Sequence, residues 1–209
     1  MKIGDLMLVA GMTLAVSLSA STLRAASIID NWASVKIPPA PELKQVKVDP
    51  KTTALLVLDM VNQFCPRYPH CPEMIPTVKK LLTEARAASV AVIYTSIPQF
   101  AETDVVKELA PTTNDPFVQS FLNKFLNTDL EKILKGKGIT TIIVVGLAAN
   151  GAVIDTSSEA AQKGFGIIVP VDAIAATTPY AEQFSVWQLG NAPVISPKIT
   201  LTTSDMIKF

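Results

Sequence analysis

Asp59 closes the run Thr53-Ala54-Leu55-Leu56-Val57-Leu58. An apolar run that ends on a carboxylate reads as a buried parallel strand with an acid at its C-terminal end. In open α/β sheets, ligands bind in the crevice beyond those strand ends. The acid there is either a proton-transfer group or a turn residue accepting local backbone amides. Desolvation would raise its pKa and a nearby lysine would lower it, the tuning that proton transfer needs. The second candidate is Gly146-Leu147-Ala148-Ala149-Asn150-Gly151-Ala152-Val153, which reads as another strand-end-to-helix turn. Free backbone amides at such a turn could hold an anion or a developing oxyanion. Gly151 and Ala152 leave room for a substrate ring, and small residues also allow a helix to pack closely on a sheet.

Cys65 and Cys71 are the only cysteines, and His70 between them is the only histidine. An oxidising compartment favours a disulfide, and Pro66 and Pro69 would pre-bend so small a loop. A redox pair and a metal site with His70 are the alternatives, but the spacing is not CxxC and three ligands in one loop are a weak zinc signal. A single histidine excludes multi-histidine metal sites and any Ser-His or Cys-His pair not built on His70. Ser96, Ser120, Thr156, Ser157 and Ser158 are candidate hydroxyl nucleophiles, yet none sits in a Gly-x-Ser-x-Gly elbow. Asp172 also ends a strand and reads as structural. No metal and no other cofactor is expected.

Strands alternating with helices must position these residues. Strands are predicted over 54–58, 90–96, 140–145, 166–171 and 198–202, with a short one at 117–121. Helices are predicted over 76–89, 101–109, 128–135, 152–162 and 179–189. Thr128 and Glu131 are spaced as a capping box. The β-branched run 140–145 suits a strand covered on both faces. This order implies a mostly parallel sheet with helices on both faces, a three-layer, Rossmann-like α/β/α domain over residues 51–209. Residues 27–50, rich in proline, read as an extended lead-in lying across it.

The chain has 209 residues, 49% of them hydrophobic, and a formal net charge of zero. That size suits one domain with a full core. No basic face points to nucleic acid, so a small molecule is the expected partner. Residues 1–26 have the layout of a cleaved signal peptide: Lys2, an apolar core over 6–20, then small residues around Ala25 and Ala26. The apolar core is short for a membrane span of about 20 residues. The expectation is a periplasmic or secreted protein with no stable membrane insertion.

The segment Leu58-Asp59-Met60-x-Asn62-x-Phe64 resembles the first-strand motif of the isochorismatase-like hydrolases, also called the cysteine hydrolase superfamily. Further matches follow in order: Phe125-x-x-Thr128-Asp129-Leu130, Gly138-Ile139, the turn from Gly146 to Val153, Ala160-x-x-x-Gly164 and Val169-x-x-Asp172. Each motif alone is weak, and their order over residues 50–190 carries the resemblance. The insertion bearing Cys65 and Cys71, with Tyr180, Phe184 and Trp187, is similar to a secreted branch.

The resemblance implies a three-layer fold and a small substrate. Most members use an aspartate to activate a cysteine, a lysine to support charge, and backbone amides for the oxyanion. Members that cleave isochorismate lack the cysteine, and there the aspartate acts as general acid on a vinyl ether. Asp59 matches directly. The usual lysine position falls on Gln119, so Lys124, the nearest lysine, is nominated. The cysteine position falls on Ala152, which cannot attack a carbonyl. Neither Cys65 nor Cys71 occupies the N-terminus of the helix after this turn, where a thiolate would be stabilised. Asn62, Phe64, Ala148, Ala149, Asn150 and Gly151 are the implied substrate contacts.

The resulting reading is an exported hydrolase with Asp59 as general acid or base and no cysteine nucleophile. One alternative is an inactive member that binds a small molecule or a protein. Another is an amide-cleaving cysteine hydrolase whose nucleophile is Cys65 or Cys71. Homo-oligomers are common in the family, and a sheet edge or the 180–187 helix could form the interface.

Overall fold

A computed structural model describes residues 25–209. The expected signal peptide therefore lies outside the described residues, except for Ala25 and Ala26. The chain divides into two units, Met1–Pro39 and Ala40–Phe209. In the first, the expected extended lead-in holds instead a 3-10 helix, Ile28–Ser34. The Ser27 amide and hydroxyl donate to Asp30 Oδ2 across its first turn.

The second unit carries strands β1 (Val46–Lys47), β2 (Thr53–Leu58), β3 (Ala91–Ser96), β4 (Phe117–Gln119), β5 (Thr141–Leu147), β6 (Gly166–Pro170), β7 (Ile174–Ala175), β8 (Ile199–Thr202) and β9 (Ile207–Lys208). Its helices are α1 (Cys71–Ala87), α2 (Leu130–Gly136), α3 (Ile154–Gln162) and α4 (Pro179–Asn191). The main sheet runs β4-β3-β2-β5-β6-β8, with β7 pairing β5 where β6 has parted from it. Its ladders are parallel. The small β1–β9 pair is parallel too.

Alternation along the strands explains the three layers. Leu55 and Val57 of β2 join Ile143, Val145 and Leu147 of β5 in one core, capped by Met74, Val78, Leu81 and Ala85 of α1. Ala54, Leu56 and Leu58 point the other way, with Ile142 and Val144, into a second core under α2, α3 and α4. Successive side chains of a strand face opposite sides. A strand covered on both sides must therefore be apolar throughout, as β2 is.

Several local expectations differ in detail. Helix α1 starts at Cys71, before Pro76, because the Met74 amide already donates to the His70 carbonyl. The helix expected over 101–109 is two 3-10 turns, Glu102–Asp104 and Lys107–Leu109. Between them Val105 bridges Val61 and the Val106 amide donates to the Met60 carbonyl, so these backbone groups serve the segment after Asp59 instead of a helix. The Thr128–Glu131 capping box does not form. The Thr128 hydroxyl donates to the Lys124 carbonyl, and Glu131 pairs with Lys135 and Lys163. Residues 40–50 bond to the C-terminal strands, with the Lys44 amide donating to the Leu201 carbonyl and the Val48 amide to the Lys208 carbonyl.

Candidate active site

Asp59 follows the last residue of β2 and adopts φ +53°. A non-glycine residue in the left-handed region costs energy and is often held there for function. The turn is fixed on both sides: the Asp59 amide donates to the Thr95 carbonyl and the Val61 amide donates to the Asp59 carbonyl. Next door, Gly146 has φ +113°, and a Cβ there would collide with the Leu58 carbonyl. Only glycine lets β5 pass so close to the strand end that carries the acid.

Lys124 sits in the loop between β4 and α2 and is fully buried, with 0% of its surface exposed. Its Nζ lies 2.8 Å from Asp59 Oδ1 and donates to the Ser120 carbonyl at 2.8 Å. The loop is clamped by α3. The Lys124 amide donates to Thr156 Oγ1, and that hydroxyl donates to the Leu122 carbonyl. Thr95, at the end of β3, donates from Oγ1 to Asp59 Oδ1 at 3.0 Å. Both contacts fall on Oδ1, so Oδ2 accepts no hydrogen bond among the described residues.

Burial pushes the Asp59 carboxyl above its ordinary value. The charge and hydrogen bond of Lys124, and then the Thr95 hydroxyl, pull it partly back. Burial also pushes the Lys124 ammonium below its ordinary value, against the opposing pull of Asp59. Both shifts have the same cause, since low dielectric disfavours each charged form. Opposed shifts of this kind suit an acid–base pair.

Asp59 faces a cavity of about 180 Å³ that Phe64, Tyr68, Ile97, Phe121, Leu122, Ala148 and Ala152 also line. Phe64 stacks edge-on against Phe100, with ring centroids 5.1 Å apart. Ala148 follows a cis peptide bond after Leu147. A π-helical turn, Ala149–Val153, then leads into α3, where an unbroken helix from Ala152 was expected.

The sequence-derived candidates divide. Asp59, Phe64, Ala148 and Ala152 line the cavity, and Lys124 lies beneath it. Ala149 is fully buried outside the lining, Asn150 is exposed, and Gly151 packs under Leu122. Asn62 points elsewhere and tethers the Asp104 carbonyl through Nδ2 at 3.0 Å. None of Ser96, Ser120, Thr156, Ser157 or Ser158 reaches the lining.

Cys65 and Cys71 form a disulfide, so neither offers a thiol as nucleophile or metal ligand. Cys71 opens α1, not the helix after the Ala152 turn, and is buried and bonded there. His70 Nδ1 pairs with Glu182 Oε2 at 2.8 Å, on α4. Among the described residues no cluster of three or more His, Cys, Asp or Glu side chains could hold a metal ion. Asp172 accepts from the amide and hydroxyl of Ser204.

Thr95, Tyr68, Ile97, Phe121 and Leu122 were missed from sequence. Thr95 pairs in register with Leu58, and a polar residue at the next strand end was the available signal. The apolar pair Phe121 and Leu122, just before Lys124 in the sequence, gives another.

A parallel α/β/α sheet with a buried acid–ammonium pair at its central strand ends has that pair where open sheets of this type bind ligands. The family model described as "Isochorismatase domain" matches residues 53–198. The chain belongs to this family of isochorismatase-like hydrolases.

N-carbamoylsarcosine amidase from Arthrobacter sp is 28% identical over 173 residues, covering 66% of this chain and 65% of that protein. The secreted isochorismatase effector Isc1 of Verticillium dahliae is 28% identical over 110 residues, covering 47% of this chain and 58% of that protein. The chain thus spans less than two thirds of the length of either relative. A cysteine hydrolase from Pseudomonas syringae pv. phaseolicola 1448A shares the fold, with TM-score 0.68 and 24% identity over 80% of this chain and 95% of that one.

Proposed function

We infer that the protein hydrolyses a small molecule, with Asp59 as the proton-transfer group and no covalent cysteine intermediate. The observation that carries this is the Asp59–Lys124 pair, buried at one wall of a cavity whose other wall, Ala152, holds no nucleophile. Cleavage of a vinyl ether suits such a site better than amide hydrolysis. Protonated Asp59 gives its proton to the terminal vinyl carbon. Water adds to the resulting oxocarbenium ion and returns a proton to the carboxylate. The hemiacetal or hemiketal then collapses to an alcohol and a carbonyl compound. Lys124 holds the carboxyl in place and stabilises its charged form once the proton has left. Export, with residues 1–26 as a cleaved signal, is supported by the disulfide and by the secreted relative. The natural substrate is then unlike a cytoplasmic metabolite such as isochorismate.

Asp59→Asn tests this reading against a panel of aryl and alkyl vinyl ethers, small amides and ureides. Turnover of one panel member that falls at least a hundredfold in the variant is expected, the scale of a lost general acid. Turnover unaffected by the substitution would sink the assignment of Asp59. The absence of a nucleophile at Ala152 favours a second reading, a non-catalytic binding protein. That reading predicts ligand binding with no turnover of the whole panel.

A further inference from the structure

We propose that the cavity selects an uncharged, single-ring molecule and rejects carboxylates. The inference rests on taking this cavity as the substrate site and concerns which molecules enter it. Its walls are aromatic and aliphatic, with Phe64, Tyr68, Ile97, Phe121 and Leu122 around the single carboxylate of Asp59. Among the described residues no lysine, arginine or histidine lines it. Lys124, bonded to Asp59 from beneath, is wholly buried, and its Nζ is held by Asp59 and the Ser120 carbonyl. Arg67, beside Tyr68 in sequence, is exposed and outside the lining.

An incoming carboxylate would therefore leave water without a cationic partner and would lie against the Asp59 carboxyl. Desolvation of an unpaired charge is costly, and a second carboxylate in the same site opposes ionisation of both. An uncharged ring meets neither obstacle and gains contact with three aromatic side chains. Size points the same way. At about 180 Å³ the cavity is smaller than the ~300–1,000 Å³ of drug-sized sites. It is close to the ~150 Å³ apolar cavity that accepts benzene. A ring with a short substituent fits within it.

Ligand-observed NMR titration at one neutral pH tests this with matched pairs: phenyl vinyl ether against 3-vinyloxybenzoate, and benzamide against benzoate. The neutral member of each pair should bind at least tenfold more tightly. Leu122→Arg, at a residue 56% exposed and so tolerant of change, should tighten both carboxylates at least tenfold. Ala152→Leu, which fills the cavity, should abolish the neutral signals and so place them there. Carboxylates that bind as tightly as their neutral partners, or neutral probes that do not bind, overturn the proposal. Neutral selectivity without turnover of any probe leaves it standing while removing the catalytic reading.

Discussion

Gly146 passes Leu58 so closely that no side chain can stand between them: a Cβ on Gly146 would run into the Leu58 carbonyl, one residue before Asp59. The two strands that carry the acid and the small-residue turn meet at this point. Gly146→Ala therefore forces both an unfavourable φ and a backbone collision. A loss of roughly 2–4 kcal/mol is expected from the two together, read by urea unfolding. A stability unchanged within error would show that the strands can part at no cost.

Removing Lys124 tests the ion pair. Lys124→Met leaves the Asp59 carboxylate buried without its cation, and should cost about 3 kcal/mol at neutral pH. Because the Asp59 pKa lies above the ordinary carboxylate value and the variant raises it further, the sign follows. The folded state of the variant binds a proton more tightly than the unfolded chain. Its stability is fully present below the unfolded value and is lost as pH rises through the folded one. Unfolding at about pH 4 and at pH 7 should show the deficit shrinking in acid. An equal deficit at both values would contradict a charged Asp59 partner.

The pH profile of turnover carries the same logic. If protonated Asp59 is the working form, kcat/KM falls as pH rises through its pKa, which burial has lifted above the ordinary value. Thr95→Val removes a hydrogen bond that lowers this pKa, so the falling limb should move to higher pH, and Lys124→Met should move it further. A profile that does not shift in either variant would assign the proton transfer to another group.

Ala152→Cys restores a thiol to the cavity wall. Wild-type protein has no free cysteine, so iodoacetamide should label the variant once per folded chain and the wild type not at all. Adding Asp59→Asn should slow that labelling, because Asp59 is the carboxylate that lines the same cavity. Labelling at an undiminished rate would separate Asp59 from the position.

The Cys65–Cys71 bridge encloses Tyr68 and adjoins Phe64, both in the cavity lining. The Cys65→Ser, Cys71→Ser double variant should lose about 2 kcal/mol, the low end for a disulfide because the loop is short. It should also weaken binding of an uncharged ring several-fold through the freed aromatics. A stability loss with unchanged binding would confine the bridge to a structural role.

Much of this molecule was legible before folding. The run 54–58 must be a doubly covered strand because nothing in it tolerates water, and the acid that follows must stand at its end. The order of strands and helices dictates parallel crossovers, and residue identity alone excludes a thiol at position 152. What the chain order could not state is distance. That Lys124 fills the place beside Asp59, that Thr95 supports the same oxygen, and that Phe121 and Leu122 overhang the cavity depend on a loop held by Thr156 from a helix 32 residues away in sequence. Asn62 and Asn150 carry the right chemistry but face away, because local hydrogen bonds and exposure, not residue type, aim their side chains. Periodicity records which face of an element is buried, since burial acts on each residue in turn. The meeting of side chains from separate strand ends is a property of the packed sheet alone.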